Sequence, residues 1–253
     1  MKILHFNDIK DNLSSSSVTI GQFDGLHLAH KLLLKRCLKE AKKNQLNSIF
    51  ITFNPSIDSI INKDSSYLLS LTDTQKEIEK LGFDYFIIID FDQETVNTLP
   101  NDFISQLDQK ISIQKLIVGF DFTFGKEAKG NINLLLEHYQ KKLIVINKKT
   151  KGFKKIGTKY IKQFLKNGQI KKANKMLGYD FYLTVDKIYD NVFTSPNIRL
   201  LKEQEYLVEI NNKRSRIYIN EGHLYTDIND INDINDINDL NDINDIDKII
   251  FLK

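Results

Sequence analysis

The sequence predicts an α/β fold, a parallel sheet wound with helices, followed by a smaller β-rich domain. Two observations carry this. Over the first 150 residues, five short β-rich apolar runs alternate with stretches of helical apolar spacing. From Phe181 onward the helix signals fade and Tyr, Val, Ile and Thr alternate instead. Strand–helix alternation implies right-handed crossovers and a parallel sheet, whose ligands bind beyond the carboxyl ends of the strands.

In chain order, the expected strands are residues 18–20, 48–53, 85–89, 115–118 and 143–146. Between them, residues 28–42, 72–81, 102–111 and 132–141 have helical spacing. A helix pair follows at 158–165 and 170–177, broken by Asn167-Gly168 and stopped by Gly178. Residues 181–188, 206–210 and 216–219 read as antiparallel strands. The domain boundary is expected near residue 180, giving a main domain 1–180, a reduced β-rich domain 181–226 and a tail 248–253. Residues 227–247 repeat Asp-Ile-Asn, and their three-residue period fits neither a strand nor a helical stripe. They are expected to be a disordered low-complexity expansion without a function.

Composition narrows the class. No apolar run approaches the length of a membrane span, and the start of the chain lacks a signal-peptide pattern, so a cytoplasmic protein is expected. A single Cys37, on the apolar stripe of the first helix, implies packing and no disulfide framework. The repeat holds eight Asp and no basic residue; removing these eight negative charges takes the formal +3 to +11. A basic body suits a polyanionic substrate such as a nucleotide or nucleic acid. It equally fits a compositional bias toward Lys, Ile and Asn.

The chemistry concentrates at residues 18–31, V-T-I-G-Q-F-D-G-L-H-L-A-H-K. A strand meets Gly21, an Asp24-Gly25 turn follows, and His27 and His30 open a helix. Free N–H groups and the positive dipole end at a helix start favour phosphate, and imidazoles at i and i+3 share a face. On local chemistry alone, metal ligation and a plain surface position stay open for these histidines.

Three motifs in order give a family resemblance. Residues 21–30, G-Q-F-D-G-L-H-L-A-H, match G-x-F-D-G-x-H-x-G-H; residues 118–126, V-G-F-D-F-T-F-G-K, with Gly130 downstream, match V-G-x-[DN]-F-x-F-G. Residues 165–178, L-K-N-G-Q-I-K-K-A-N-K-M-L-G, look like a helix hairpin of the pattern L-x-x-G-[DN]-[IV]-x-x-A-x-x-[LM]-L-G. The sequence resembles the prokaryotic bifunctional riboflavin kinase/FAD synthetase family in its FMN adenylyltransferase half. That resemblance implies a Rossmann-like nucleotidyltransferase domain that makes FAD from ATP and FMN with Mg2+. It implies no nucleic-acid or membrane partner and no metal ligands in the chain, and leaves the oligomeric state open.

It also implies site roles. His27, His30 and Lys162 would act in catalysis. Gly21, Phe23, Asp24, Gly25, Thr158 and Lys159 would serve ATP, the last two with Lys162 on a mobile loop over the β- and γ-phosphates. Asp121, Phe124, Gly125 and Lys126 would line the substrate cleft. Asp24 equally suits a structural Asp-Gly turn, and Lys154 and Lys155 read as a solvated basic run.

The sequence departs from the pattern in several places. Ala29 replaces a glycine; residues 52–57, T-F-N-P-S-I, lack the histidine of T-F-x-P-H-P; and residues 156–162, I-G-T-K-Y-I-K, erode I-S-S-T-x-I-R. Lys162 there supplies charge without a planar fork. Residues 193–198, F-T-S-P-N-I, keep only a Pro and an Asn of the kinase half's G-R-x-L-G-x-P-T-A-N. Riboflavin kinase activity is therefore expected to be lost. Another H-x-G-H nucleotidyltransferase, a catalytically degenerate nucleotide- or flavin-binding module, and a bifunctional enzyme with a diverged kinase site are the rival readings.

Overall fold

The computed structural model describes residues 1–55, 66–147, 156–189, 191–226 and 247–252. The expected character of the repeat at 227–246, and of Lys154 and Lys155, falls outside these residues. The described residues form two compact units, one built from 1–55 and 70–147, the other from 66–69 and 156 onward.

The first unit is a parallel sheet. Its strands are β1 (Lys2–His5), β2 (Leu13–Ile20), β3 (Asn47–Asn54), β4 (Tyr85–Asp90), β5 (Ile111–Gly119) and β6 (Leu143–Ile146), in the order β1-β4-β3-β2-β5-β6. Its helices are α1 (Leu28–Asn44), α2 (Leu71–Lys80), α3 (Gln93–Asn97), α4 (Pro100–Lys110) and α5 (Ile132–Tyr139). The five expected strands and four expected helices are all there. β1 was missed, because four residues of mostly exposed strand carry no usable alternation.

Alternation decides the two faces of the sheet. Val18, Ile20, Ile49, Ile51, Ile87, Leu116 and Val118 share a core with Phe103, Ile104 and Leu107 of α4 and Leu135 of α5. On β2 the residues that alternate with Val18 and Ile20 are Ser17 and Thr19. Ser17 Oγ donates to the Cys37 carbonyl of α1, and Cys37 Sγ lies 3.2 Å from the Ser17 carbonyl oxygen. Burial pushes the Cys37 thiol up to about 12, so the packing role expected for it holds.

The second unit begins with α6 (Thr158–Lys166) and α7 (Ile170–Leu177). Its sheet has the strands β7 (Tyr182–Thr184), β8 (Asp186–Tyr189), β9 (Val192–Thr194), β10 (Glu205–Ile210), β11 (Lys213–Asn220), β12 (His223–Thr226) and β13 (Lys248–Phe251). They pair antiparallel in the order β7-β13-β10-β11-β12-β9-β8. Positive φ at Asn211 and Asn212, and at Glu221 and Gly222, makes the two tight turns that join β10, β11 and β12.

Three expectations change here. Packing divides the chain near residue 156, where the sequence suggested 180. Asn174 of α7 explains this: its amide donates to the Phe251 carbonyl and accepts the Phe181 N–H, tying the hairpin to the β unit. The single strand expected at 181–188 is two, broken at Val185, whose N–H goes to the Asp247 carbonyl. The tail is no appendage, because β13 lies between β7 and β10 with Ile249 and Phe251 fully buried. Four residues beyond a low-complexity repeat gave too short a pattern to read.

Candidate active site

The sheet order places a switch point between β2 and β5. From β2 the chain runs through β3 toward β4, then returns to the other side of β2 with β5 and β6. At such a point the loops leaving the two strands diverge and open a ligand crevice. These loops, 21–27 and 120–130, are the two segments the sequence singled out.

The first loop is built around left-handed backbone. Phe23, Gly25 and Leu26 have φ of 43°, 77° and 38°. Only Gly25 adopts this region without cost; Phe23 and Leu26 are held there because both are buried. Phe23, expected to meet ATP, lies beneath the turn instead. Its ring rests on Phe50 at 4.6 Å and meets His30 edge-on at 5.2 Å, so it shapes the site from below. Gly21 leaves β2 with its N–H on the Ile51 carbonyl, and Asp24 opens a short 3-10 turn, Asp24–Leu26.

His27 is the N-cap of α1. Its Nδ1 accepts the His30 N–H at 3.3 Å, and the two rings stack with centroids 3.6 Å apart at 19°. An accepting Nδ1 fixes the neutral tautomer, which leaves the proton on Nε2 as a donor. Burial lowers the His27 pKa to about 4. Burial, then the His27 charge, draws His30 well below the usual histidine value. His30 Nδ1 is buried with no hydrogen-bond partner among the described residues. Nor do the N–H groups of Leu28 and Ala29 have an acceptor there. No acidic residue occupies this first turn.

The stacked pair has a consequence for folding. The unfolded chain binds a proton on His27 near the ordinary histidine value of about 6.5, the folded chain only near 4. Stability from this group is therefore complete above the unfolded pKa and is lost as pH falls toward the folded one. Urea denaturation between pH 7 and 4 is expected to lose about 3 kcal/mol from His27 alone. His27→Asn, which keeps a capping side chain, removes that share of the slope.

The second loop leaves β5 at Gly119. Phe124 and Gly130 close it as an isolated bridge, 3.1 and 2.8 Å. Phe124 was expected at the substrate and is corrected here: it is 5% exposed, in the core with Phe103 and stacked on Phe122. The ring needs Gly130, where a Cβ would sit 2.6 Å from Phe124. Phe120 is the exposed aromatic, and Asp121 is exposed beside it. Gly125 has φ +71°, and a Cβ there would lie 2.9 Å from the Pro100 backbone. Gly125→Ala is expected to cost about 2 kcal/mol in a thermal or urea melt, since strain and overlap act together. Next to it, the Lys126 N–H bonds the Thr98 carbonyl at 2.7 Å.

Thr158, Lys159 and Lys162 belong to the second unit. They lie in the first turns of a helix rather than on a mobile loop, because Ile161 and Leu165 are fully buried at i and i+4. Lys162 Nζ donates to the Ser66 carbonyl at 2.6 Å. One polar pair at the carboxyl edge of the first sheet escaped the sequence reading. His5 Nδ1 lies 2.8 Å from Asp90 Oδ2, at the ends of β1 and β4, and only the missed strand would have revealed it.

Fold and turn together define a Rossmann-like α/β protein of the nucleotidyltransferase type. The FAD synthetase family model matches residues 9–163. The chain belongs to that family. It is 29% identical over 192 residues to the bifunctional riboflavin kinase/FMN adenylyltransferase of Bacillus subtilis, covering 72% of this chain and 61% of that protein. Similarity to the FAD synthetase of Listeria monocytogenes is 25% over 191 residues, 73% of this chain and 77% of that one. The chain thus spans under two thirds of the length of several bifunctional relatives it matches. A crystal structure of a macrolide-efflux protein from Streptococcus pneumoniae superposes with a TM-score of 0.79 at 21% identity, covering 99% and 98% of the two chains. At that identity the likeness concerns the fold alone.

Proposed function

We propose that this protein is an FAD synthetase, transferring AMP from ATP to FMN to give FAD and pyrophosphate. The observation that carries this reading is the neutral, stacked His27–His30 pair at the start of α1, beside the switch point of the sheet.

An FMN phosphate oxygen attacks the α-phosphorus of ATP in line; the new P–O bond forms as the bond to the β-phosphate bridging oxygen breaks. The nucleophile is already anionic, so the chain needs no strong general base. It needs donors and order. His27 offers Nε2–H, Leu28 and Ala29 offer backbone N–H groups, and His30 follows on the same helical face. Gly21, Asp24 and Gly25 shape the turn that admits the triphosphate. Asp121, Gly125 and Lys126 are assigned to the substrate side.

Among the described residues, no group of three His, Cys, Asp or Glu could hold a metal ion. This donor set fits Mg2+ carried in on the triphosphate, where it neutralises phosphate oxygens. No helix among the described residues is long and apolar enough to cross a membrane.

Loss of riboflavin kinase activity is part of the proposal. Asn197, kept from the kinase pattern, is buried and already committed: its Oδ1 accepts the Tyr67 N–H at 3.2 Å. Incubation with Mg-ATP and either FMN or riboflavin, followed by flavin chromatography, tests both parts. FAD from FMN alone is expected. FMN or FAD from riboflavin would restore the bifunctional reading, and no product from either flavin, with ATP still bound, would leave a degenerate binding module.

A further inference from the structure

The amino end of the first unit's sheet, opposite the edge that carries His27, holds a cavity of about 570 Å³. One wall is Ile111–Gln114, the start of β5; the other is the end of α5 with the turn Gln140–Lys142. The cavity exists because the two strands start out of step. β6 joins β5 only from Leu116, opposite Leu143, so residues 111–115 have no strand partner on that side among the described residues.

The charges along this cavity do not balance. Asp108 is its one lining carboxylate, and it is occupied by His138 Nε2 and, at 3.0 Å, by the Tyr139 hydroxyl. Lys141 and Lys142 have no ion-pair partner among the described residues. Ser112 Oγ accepts from Gln114 Nε2 at 3.3 Å, which leaves the serine proton available. Two ammonium groups without an ion-pair partner among the described residues, and a hydroxyl donor, thus line a recess next to strand backbone with no strand partner among those residues.

We propose that this recess is a second ligand site, taking a small organic dianion of the phosphate-monoester or dicarboxylate type. Lys141 and Lys142 hold the charge, Ser112 and the open edge of β5 donate hydrogen bonds, and the Asp108–His138–Tyr139 cluster fixes the wall. The site is separate from the ATP turn, and its existence does not depend on the FAD synthetase reading.

The test is a residue-resolved NMR titration of the full chain with inorganic phosphate, glycerol 3-phosphate and succinate. Saturable shifts are expected at Ser112, Gln114, His138, Lys141 and Lys142. They should weaken by about tenfold or more in the Lys141→Glu/Lys142→Glu double variant. Both lysines are exposed, so the remaining spectrum serves as the check of folding. Preference for glycerol 3-phosphate over succinate assigns a phosphate monoester, and the reverse a dicarboxylate; either supports the site. Shifts confined to residues 21–31, equal affinity in the double variant, or no response to any of the three ligands would overturn it.

Discussion

His30→Ala is expected to lower kcat for FAD formation by about 10²–10³-fold while ATP affinity changes far less. A donor that meets charge developing only in the transition state contributes roughly 3–4 kcal/mol to the rate. His30 is suited to that role because Phe23 and His27 hold its ring from two sides, 5.2 and 3.6 Å away. Little reorganisation is left for the moment of reaction. His27→Asn is the companion variant: it keeps the helix cap but removes Nε2–H, so α1 should persist while turnover falls. Single-turnover rates and ATP binding separate the two contributions. A variant that loses ATP binding in step with turnover would make His30 a ground-state contact instead.

Phe251→Ala is expected to destabilise the second unit by about 3–5 kcal/mol, the cost of emptying a fully buried aromatic site. Phe251 has no exposed surface, and its ring lies 5.8 Å from Phe181 and 5.3 Å from Tyr206. Its strand sits inside the sheet, so the loss reaches both neighbours, β7 and β10. Denaturation followed by hydrogen exchange should show the protection of Val208 and Tyr182 falling first. A change under about 1 kcal/mol would return residues 248–252 to the status of a tail.

How much of this was legible depended on what each segment had to satisfy. Long elements with a buried face, such as β3 and α1, announce themselves because one periodicity runs through several turns or pairs. The His27–His30 turn was legible because its residue types and spacing are set by chemistry. The short strands at the two chain ends were not, unlike the equally short but wholly apolar β6. Lys2–His5 and Lys248–Phe251 take their place from partners far away in sequence, and four residues carry too little pattern to say so. Phe124 misled for a related reason: a motif fixes which residue stands at a position, but not whether its ring faces ligand or core. Lys162 and Asn197 likewise carry the expected residue types, yet their hydrogen bonds to Ser66 and Tyr67 depend on tertiary placement that no local pattern encodes.

The most direct measurement is label transfer from ATP radiolabelled at the α-phosphate. With FMN and Mg2+ present, label should appear in FAD in step with release of unlabelled pyrophosphate, and His30→Ala should slow both together. Label that stays in ATP, or that emerges as AMP while FMN is unchanged, would contradict adenylyl transfer to FMN at the His27–His30 turn.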